Sequence, residues 1–111
     1  MLYLFSTTIM PNEGTFKNQK VSLEKAGEIL QSGDNYHYQG VSALGHQGAA
    51  DAFNACFPSL NCEVNRVPAI MHPRDEAIAL KVLGRLPEGQ ILTKEELEKV
   101  GYDFFHIVRT E

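Results

Sequence analysis

His46 stands where a β-prone run, Val41 to Leu44, reaches Gly45 and gives way to a helical pattern of Ala49, Ala50, Ala52, Phe53, Ala55 and Phe57. The first turn of a helix has backbone N–H groups without intrahelical partners and carries partial positive charge. It therefore suits an anion, phosphate especially. The same field disfavours a protonated imidazole and keeps His46 titratable near neutral pH. A second segment, Gly84-Arg85-Leu86-Pro87-Glu88-Gly89-Gln90, brackets an arginine and a glutamate between two glycines, with a proline in the middle. Such a loop can hinge at both ends while staying stiff at its centre, as a lid does. Arg85 suits a phosphate because its fork makes bidentate, charge-assisted bonds. Glu88 can steer that arginine or orient an imidazole.

Together these three side chains would be enough for metal-free RNA cleavage. There the substrate's own 2′-hydroxyl attacks the adjacent phosphorus, so the protein needs no nucleophile. It must align the attack, stabilise charge on the phosphoryl oxygens and protonate the leaving 5′-oxygen. Spacing leaves this as one possibility among several. A neutral His46 packed at a turn and a plain strand-to-helix connection at 84–90 fit the same residues. No metal box is present, since His37, His46, His72 and His106 are scattered, and no Gly-x-Ser-x-Gly or Gly-Lys-Ser/Thr motif occurs.

The elements that must position these residues belong to one domain, residues 1–111. The chain has 111 residues, 43% hydrophobic and 22% charged, enough for one real core and no second domain. Its net charge of −4 and the lack of a Lys/Arg block argue against general binding to duplex DNA or RNA. The N-terminal Met1-Leu2-Tyr3-Leu4-Phe5 is too short and uncharged for a signal peptide, and nothing approaches a membrane-spanning length, so a cytoplasmic location is expected. Cys56 and Cys62 fit no zinc or redox spacing and read as free thiols in a reducing cytosol.

Along the chain, Leu2 to Phe5 reads as an apolar strand followed by the hydroxyls of Ser6-Thr7-Thr8, and Val21 closes a second extended piece. Ser22 is an N-cap for a helix over Leu23 to Gln31. Tyr36-His37-Tyr38 is an aromatic loop or edge. After the Val41–Leu44 run, a helix is expected from Gln47 to Phe57. Val64 to Met71 reads as a strand, with Pro68 confining it to an edge and Arg66 on one face. Ala77 to Leu83, nearly all apolar, is the strongest strand and is expected at the centre. Thr93-Lys94-Glu95-Glu96 is a capping box for a short helix to Val100, with Gly101 at its stop. Tyr102 to Val108 is a final strand with His106 as a face residue outside the catalytic set. The order predicts an α+β fold: a single mixed β-sheet with about three helices packed on it.

The elements Val41-Ser42-Ala43-Leu44-Gly45-His46, Val64-Asn65-Arg66-Val67 and Gly84-Arg85-Leu86-Pro87-Glu88-Gly89, with Leu92 to Leu97, resemble those of the viral anti-CRISPR ring nuclease family. The similarity spans nearly the whole chain. It implies a homodimer that binds cyclic tetra-adenylate, the second messenger of type III CRISPR defence, across its two-fold axis. It implies metal-independent cleavage, without a cofactor, to linear di-adenylate ending in a 2′,3′-cyclic phosphate. His46 matches the catalytic general acid, Arg85 the arginine near the scissile phosphate, and Glu88 the acidic residue that supports the histidine. The segment from Gly84 to Leu92 matches the lid. Ser6 falls on a ligand-contacting position, and Arg66 on an Asn-Arg pair near the ligand. Gly45, Gln47, Gly48 and Ala49 would line the ligand at the helix start. Relatives typically carry Gly-His-x-x-Thr, so Ala49 lacks a hydroxyl that could bond phosphate or ribose.

A cyclic tetranucleotide has two-fold symmetry, and an isologous dimer presents two copies of each site residue to it. Because the chain is acidic, anion binding must rest on locally placed Arg85, Arg66, Lys81 and helix N-termini. A function of another class, a protein that binds or sequesters a cyclic oligoadenylate or other nucleotide without cutting it, fits the same pattern.

Overall fold

Two hydroxyls set where helices begin. Ser22 Oγ accepts the Lys25 N–H at 3.1 Å, and Thr93 Oγ1 accepts the Glu96 N–H at 3.2 Å, each satisfying a backbone donor that the first helical turn leaves open. Glu96, placed for the return half of the expected capping box, keeps its Oε2 buried without a hydrogen-bond partner. In the computed structural model, which describes residues 2–6, 13–31, 41–44, 47–57, 60, 62–65, 70–84 and 93–111, these caps open α1 (Leu23–Leu30) and α3 (Lys94–Val100). A third helix, α2, covers Gln47–Cys56.

The strands are β1 (Leu2–Phe5), β2 (Phe16–Val21), β3 (Val41–Ser42), β4 (Glu76–Val82) and β5 (Tyr102–Arg109). They form one mixed sheet in the order β2-β5-β4-β1-β3. β1 runs parallel to both β3 and β4, with Leu4 in register with Ser42 and Ile78, while β5 runs antiparallel to β4 and β2. The α+β expectation therefore holds, and the apolar run from position 77 does occupy the middle of the sheet. β4 ends one residue before Leu83, which is 56% exposed.

Alternation along the strands separates two apolar layers. Leu4, Ile78, Leu80 and Phe104 face Ala26 and Leu30 of α1, Ala50 and Phe53 of α2, and Leu97 of α3. All three helices thus pack on one face. Tyr3, Phe5, Ala77, Ala79 and Ile107 point the other way and gather around Met71, which is fully buried.

The expected strand from Val64 to Met71 is not formed over its described residues. Val64, Asn65, Ile70 and Met71 lie in no strand, and positions 66–69 fall outside the described residues. Two of the segment's apolar residues serve packing instead: Val64 leans on the helix-side core and Met71 on the opposite layer. Polar bonds hold the segment to β3. The Asn65 N–H donates to the Leu44 carbonyl at 2.9 Å.

Gly101 closes α3 at φ 93° and ψ 144°, a combination that residues with a Cβ avoid. Its N–H donates to the Leu97 carbonyl and its own carbonyl accepts the Leu83 N–H, each at 2.9 Å, so the cap also ties α3 to the exit of β4. Gly101→Ala is expected to lower stability by about 1–3 kcal/mol through backbone strain. Chemical denaturation should show this as a lower midpoint with an unchanged m-value.

Candidate functional site

Parallel pairing brings the ends of three strands to one edge. Ser6 leaves β1, Leu44 ends the run that begins as β3, and Gly84 follows β4, all at the carboxyl side. In open sheets with parallel strands and helical connections, ligands bind at this side, where loops and helix N-termini meet. Ser6 is exposed there. β4 extends three residues past Ala79, the partner of Phe5, so its exit stands roughly 10 Å above the end of β1 at ~3.3 Å per residue.

α2 begins at Gln47, three positions after Leu44, and carries no acidic residue in its first turn. Its terminal N–H groups thus keep a positive field uncancelled by a carboxylate in that turn. Gln47 and Gly48 are exposed. The Gln47 Nε2 donates to Asp51 Oδ1 at 2.9 Å, one turn along, and would have to release that bond to reach a ligand. The Ala49 methyl is half-buried against the helix-side core, so at this position the chain has spent the side chain on packing.

Of the residues singled out from sequence, Ser6 leaves β1 at this edge, and Gln47, Gly48 and Ala49 form the start of α2. Lys81 stands apart. It is exposed on β4 with the parity of Ala77 and Ala79, hence on the face away from the helices, in register with Asp103. Asp103 already pairs with Lys20 at 3.1 Å. Gly45, His46, Arg66, Arg85 and Glu88 lie outside the described residues, as does the segment 85–92 read as a lid. Their neighbours in sequence do not: Leu44 and Gln47 flank Gly45-His46, Asn65 precedes Arg66, and Gly84 precedes Arg85.

Among the described residues, the remaining histidines and the two cysteines are accounted for without chemistry. His106 Nε2 lies 3.0 Å from Glu76 Oε1, toward the amino end of β4 and away from the site edge, in keeping with a face residue. His72 uses its backbone, donating N–H to Asp75 Oδ2 at 2.8 Å, and that bond holds the Asp75 carboxyl below its ordinary value. Among the described residues no group of three His, Cys, Asp or Glu side chains could hold a metal ion. Both cysteines are free and buried, and burial pushes the Cys56 thiol up to about 11 from an ordinary 9.0.

A raised thiol pKa makes the protonated form the one that folding favours. Its contribution is complete below about pH 9 and is lost as pH rises through about 11. Unfolding midpoints should fall over that window, and Cys56→Ala should flatten the fall. A slope unchanged in the variant would assign it to other groups.

Sequence reasoning missed a set of amide bonds behind the site. Asn54, facing out from α2, donates from Nδ2 to the Cys62 carbonyl at 2.9 Å and accepts the Cys62 N–H on Oδ1 at 2.6 Å. Ser42 Oγ donates to the Glu63 carbonyl, and Asn65 Nδ2 donates to the Ser42 carbonyl at 2.9 Å. A polar residue between Phe53 and Ala55, in an otherwise apolar turn, was the available signal for Asn54.

A family model described as STIV B116-like matches residues 2–104. The chain belongs to the STIV B116-like family. Within it, the chain is 38% identical over 115 residues to the uncharacterized protein ORF117 of Acidianus two-tailed virus, an alignment covering all of this chain and 95% of the relative. It is 26% identical over 108 residues to the uncharacterized protein YddF of Bacillus subtilis, covering 96% of this chain and 94% of YddF. The solved structure of B116 of Sulfolobus turreted icosahedral virus superposes with a TM-score of 0.78 at 21% identity, covering 97% of this chain and 98% of that one. At that identity the likeness speaks to the fold, which the B116-like family shares here from end to end. No helix of the described residues is long and apolar enough to cross a membrane.

Proposed function

We propose that this member of the B116-like family is a ring nuclease that binds cyclic tetra-adenylate between two copies of the chain and cuts it, without metal, to linear di-adenylate ending in a 2′,3′-cyclic phosphate. In a host cell it would suppress type III CRISPR signalling. The observation that carries the reading is the carboxyl edge. There β3 and β4 end in the segments that lead in sequence to His46 and to Arg85, and α2 starts without an acidic residue in its first turn. Anion binding by N–H groups and arginines, with an imidazole to protonate the leaving 5′-oxygen, is the chemistry such an edge supports. Glu88 would support His46, and the duplicated site of a homodimer would match the two-fold ring.

Ala49 favours a second reading, a binding protein that sequesters the ring, because its packed methyl offers no hydroxyl to phosphate or ribose. One experiment separates the two. The protein is incubated with cyclic tetra-adenylate in excess EDTA and the products are resolved by chromatography. Linear di-adenylate is the expected result. Intact ligand with measurable binding would replace the nuclease with the sequestering protein, and neither binding nor cleavage would overturn both.

A further inference from the structure

Behind the site edge, one short segment is tied both to α2 and to the end of β3. Residues 62–65 are bound on one side by the Asn54 carboxamide, which exchanges two hydrogen bonds with the Cys62 backbone. On the other side they grip the end of β3 at three points. Ser42 Oγ donates to the Glu63 carbonyl, Asn65 Nδ2 donates to the Ser42 carbonyl, and the Asn65 N–H donates to the Leu44 carbonyl. The Leu44 N–H in turn reaches Ser42 Oγ at 3.4 Å, and Leu44 itself is fully buried. The result is a closed circuit from α2 through 62–65 to β3. Gly45 and His46 are the only residues in sequence between the two anchored ends, Leu44 and Gln47, and Arg66 is the next residue after Asn65.

From this geometry we propose that Asn65 is a positioning residue for the site. By clamping the Ser42 and Leu44 carbonyls it fixes the point from which the chain runs on to Gly45 and His46. The catalytic part of this inference rests on the nuclease reading above. A misplacement of about 1 Å in a catalytic group can cost on the order of 10²-fold in rate.

Asn65→Asp keeps the side chain's shape and removes the donor to the Ser42 carbonyl. Its single-turnover rate on cyclic tetra-adenylate should fall by about 10²-fold while the dissociation constant for the uncut ring stays close to wild type. Added to His46→Ala it should cost nothing more, because a residue acting through His46 has nothing left to position. Losses that multiply in the double variant would overturn the proposal. A second readout needs no turnover: the His46 imidazole resonances in an NMR spectrum should shift or broaden in Asn65→Asp while the core methyl signals hold their places. Unchanged His46 resonances overturn the proposal whether or not the protein cuts the ring. If wild type leaves the ring intact in EDTA, the nuclease reading falls and those resonances alone decide the role of Asn65. Should Asn65→Asp fail to fold, Ser42→Ala removes the hydroxyl bridging Glu63 and Leu44 and is read by the same two measurements.

Discussion

His46→Ala is expected to slow cleavage of cyclic tetra-adenylate by roughly 10²–10⁴-fold, the range for removing a general acid, while the ring still binds. That loss corresponds to about 3–5 kcal/mol of transition-state stabilisation. The separation of rate from affinity follows from the division of labour at the edge. Ground-state phosphate would be held by the start of α2 and by the arginines, none of which the substitution removes. The histidine would act when the 5′-oxygen leaves and needs a proton. Single-turnover kinetics in EDTA, with binding measured separately on a ring whose 2′-hydroxyls are blocked, reads both quantities. Turnover equal to wild type would remove His46 from the mechanism. Glu88→Ala should slow the reaction less, since it acts on the imidazole's orientation.

Phe53→Ala should produce the largest loss of stability. Phe53 is fully buried on α2, and its ring meets Phe104 of β5 edge-on, with centroids 6.2 Å apart and planes at 68°. Phe104 also contacts the rings of Phe57 and Tyr102, so one deletion opens a cavity at the centre of an aromatic cluster between helix and sheet. Such a truncation costs about 3–5 kcal/mol, a large share of the 5–15 kcal/mol typical of a domain. A fall in Tm of roughly 10–20 °C is the expected outcome. Because α2 is also the helix whose start faces the site, the variant should bind the ring more weakly well below its melting temperature. A Tm within a few degrees of wild type would mean that α2 collapses into the space, and that the cluster is not the keystone of the core.

How much of this was legible in the sequence depends on the range of the interactions. Ser22 and Thr93 were readable because a cap is satisfied within three residues. β4 was readable because a strand buried on both faces must be apolar throughout, as Ala77 to Leu80 are. The parity of β5 followed from the pleat, and it correctly set His106 among face residues. β2 was nearly invisible: Phe-Lys-Asn-Gln-Lys-Val has no alternation, since it is an edge strand whose middle four residues are exposed. The expected Val64–Met71 strand is absent from its described residues for a different reason: Val64 and Met71 are apolar because each packs on a separate layer. For the site, the strand-to-helix transition at Gly45-His46 was a local signal and the flanking elements agree with it. The shared edge of β1, β3 and β4, the placement of Lys81 on the far face, and the Asn54–Cys62 and Asn65–Ser42 ties all join residues distant in sequence. No local pattern encodes them.

The position of β1 between β3 and β4 also dictates how the chain must be made. Leu2 is in register with Glu76, so β1 leaves the ribosome with its principal partner more than 70 residues downstream. At about 5–20 residues per second, Tyr3, Leu4 and Phe5 wait roughly 4–15 s for β4 to be synthesised. Through that interval an apolar segment destined for the interior has, among the described residues, one neighbouring strand already made, the two-residue β3. Nascent-chain burial in this protein is therefore late and non-local, and slow closure of such a sheet follows from its high contact order. Holdases that shelter apolar stretches of a nascent chain are the cellular factors on which its yield should depend most.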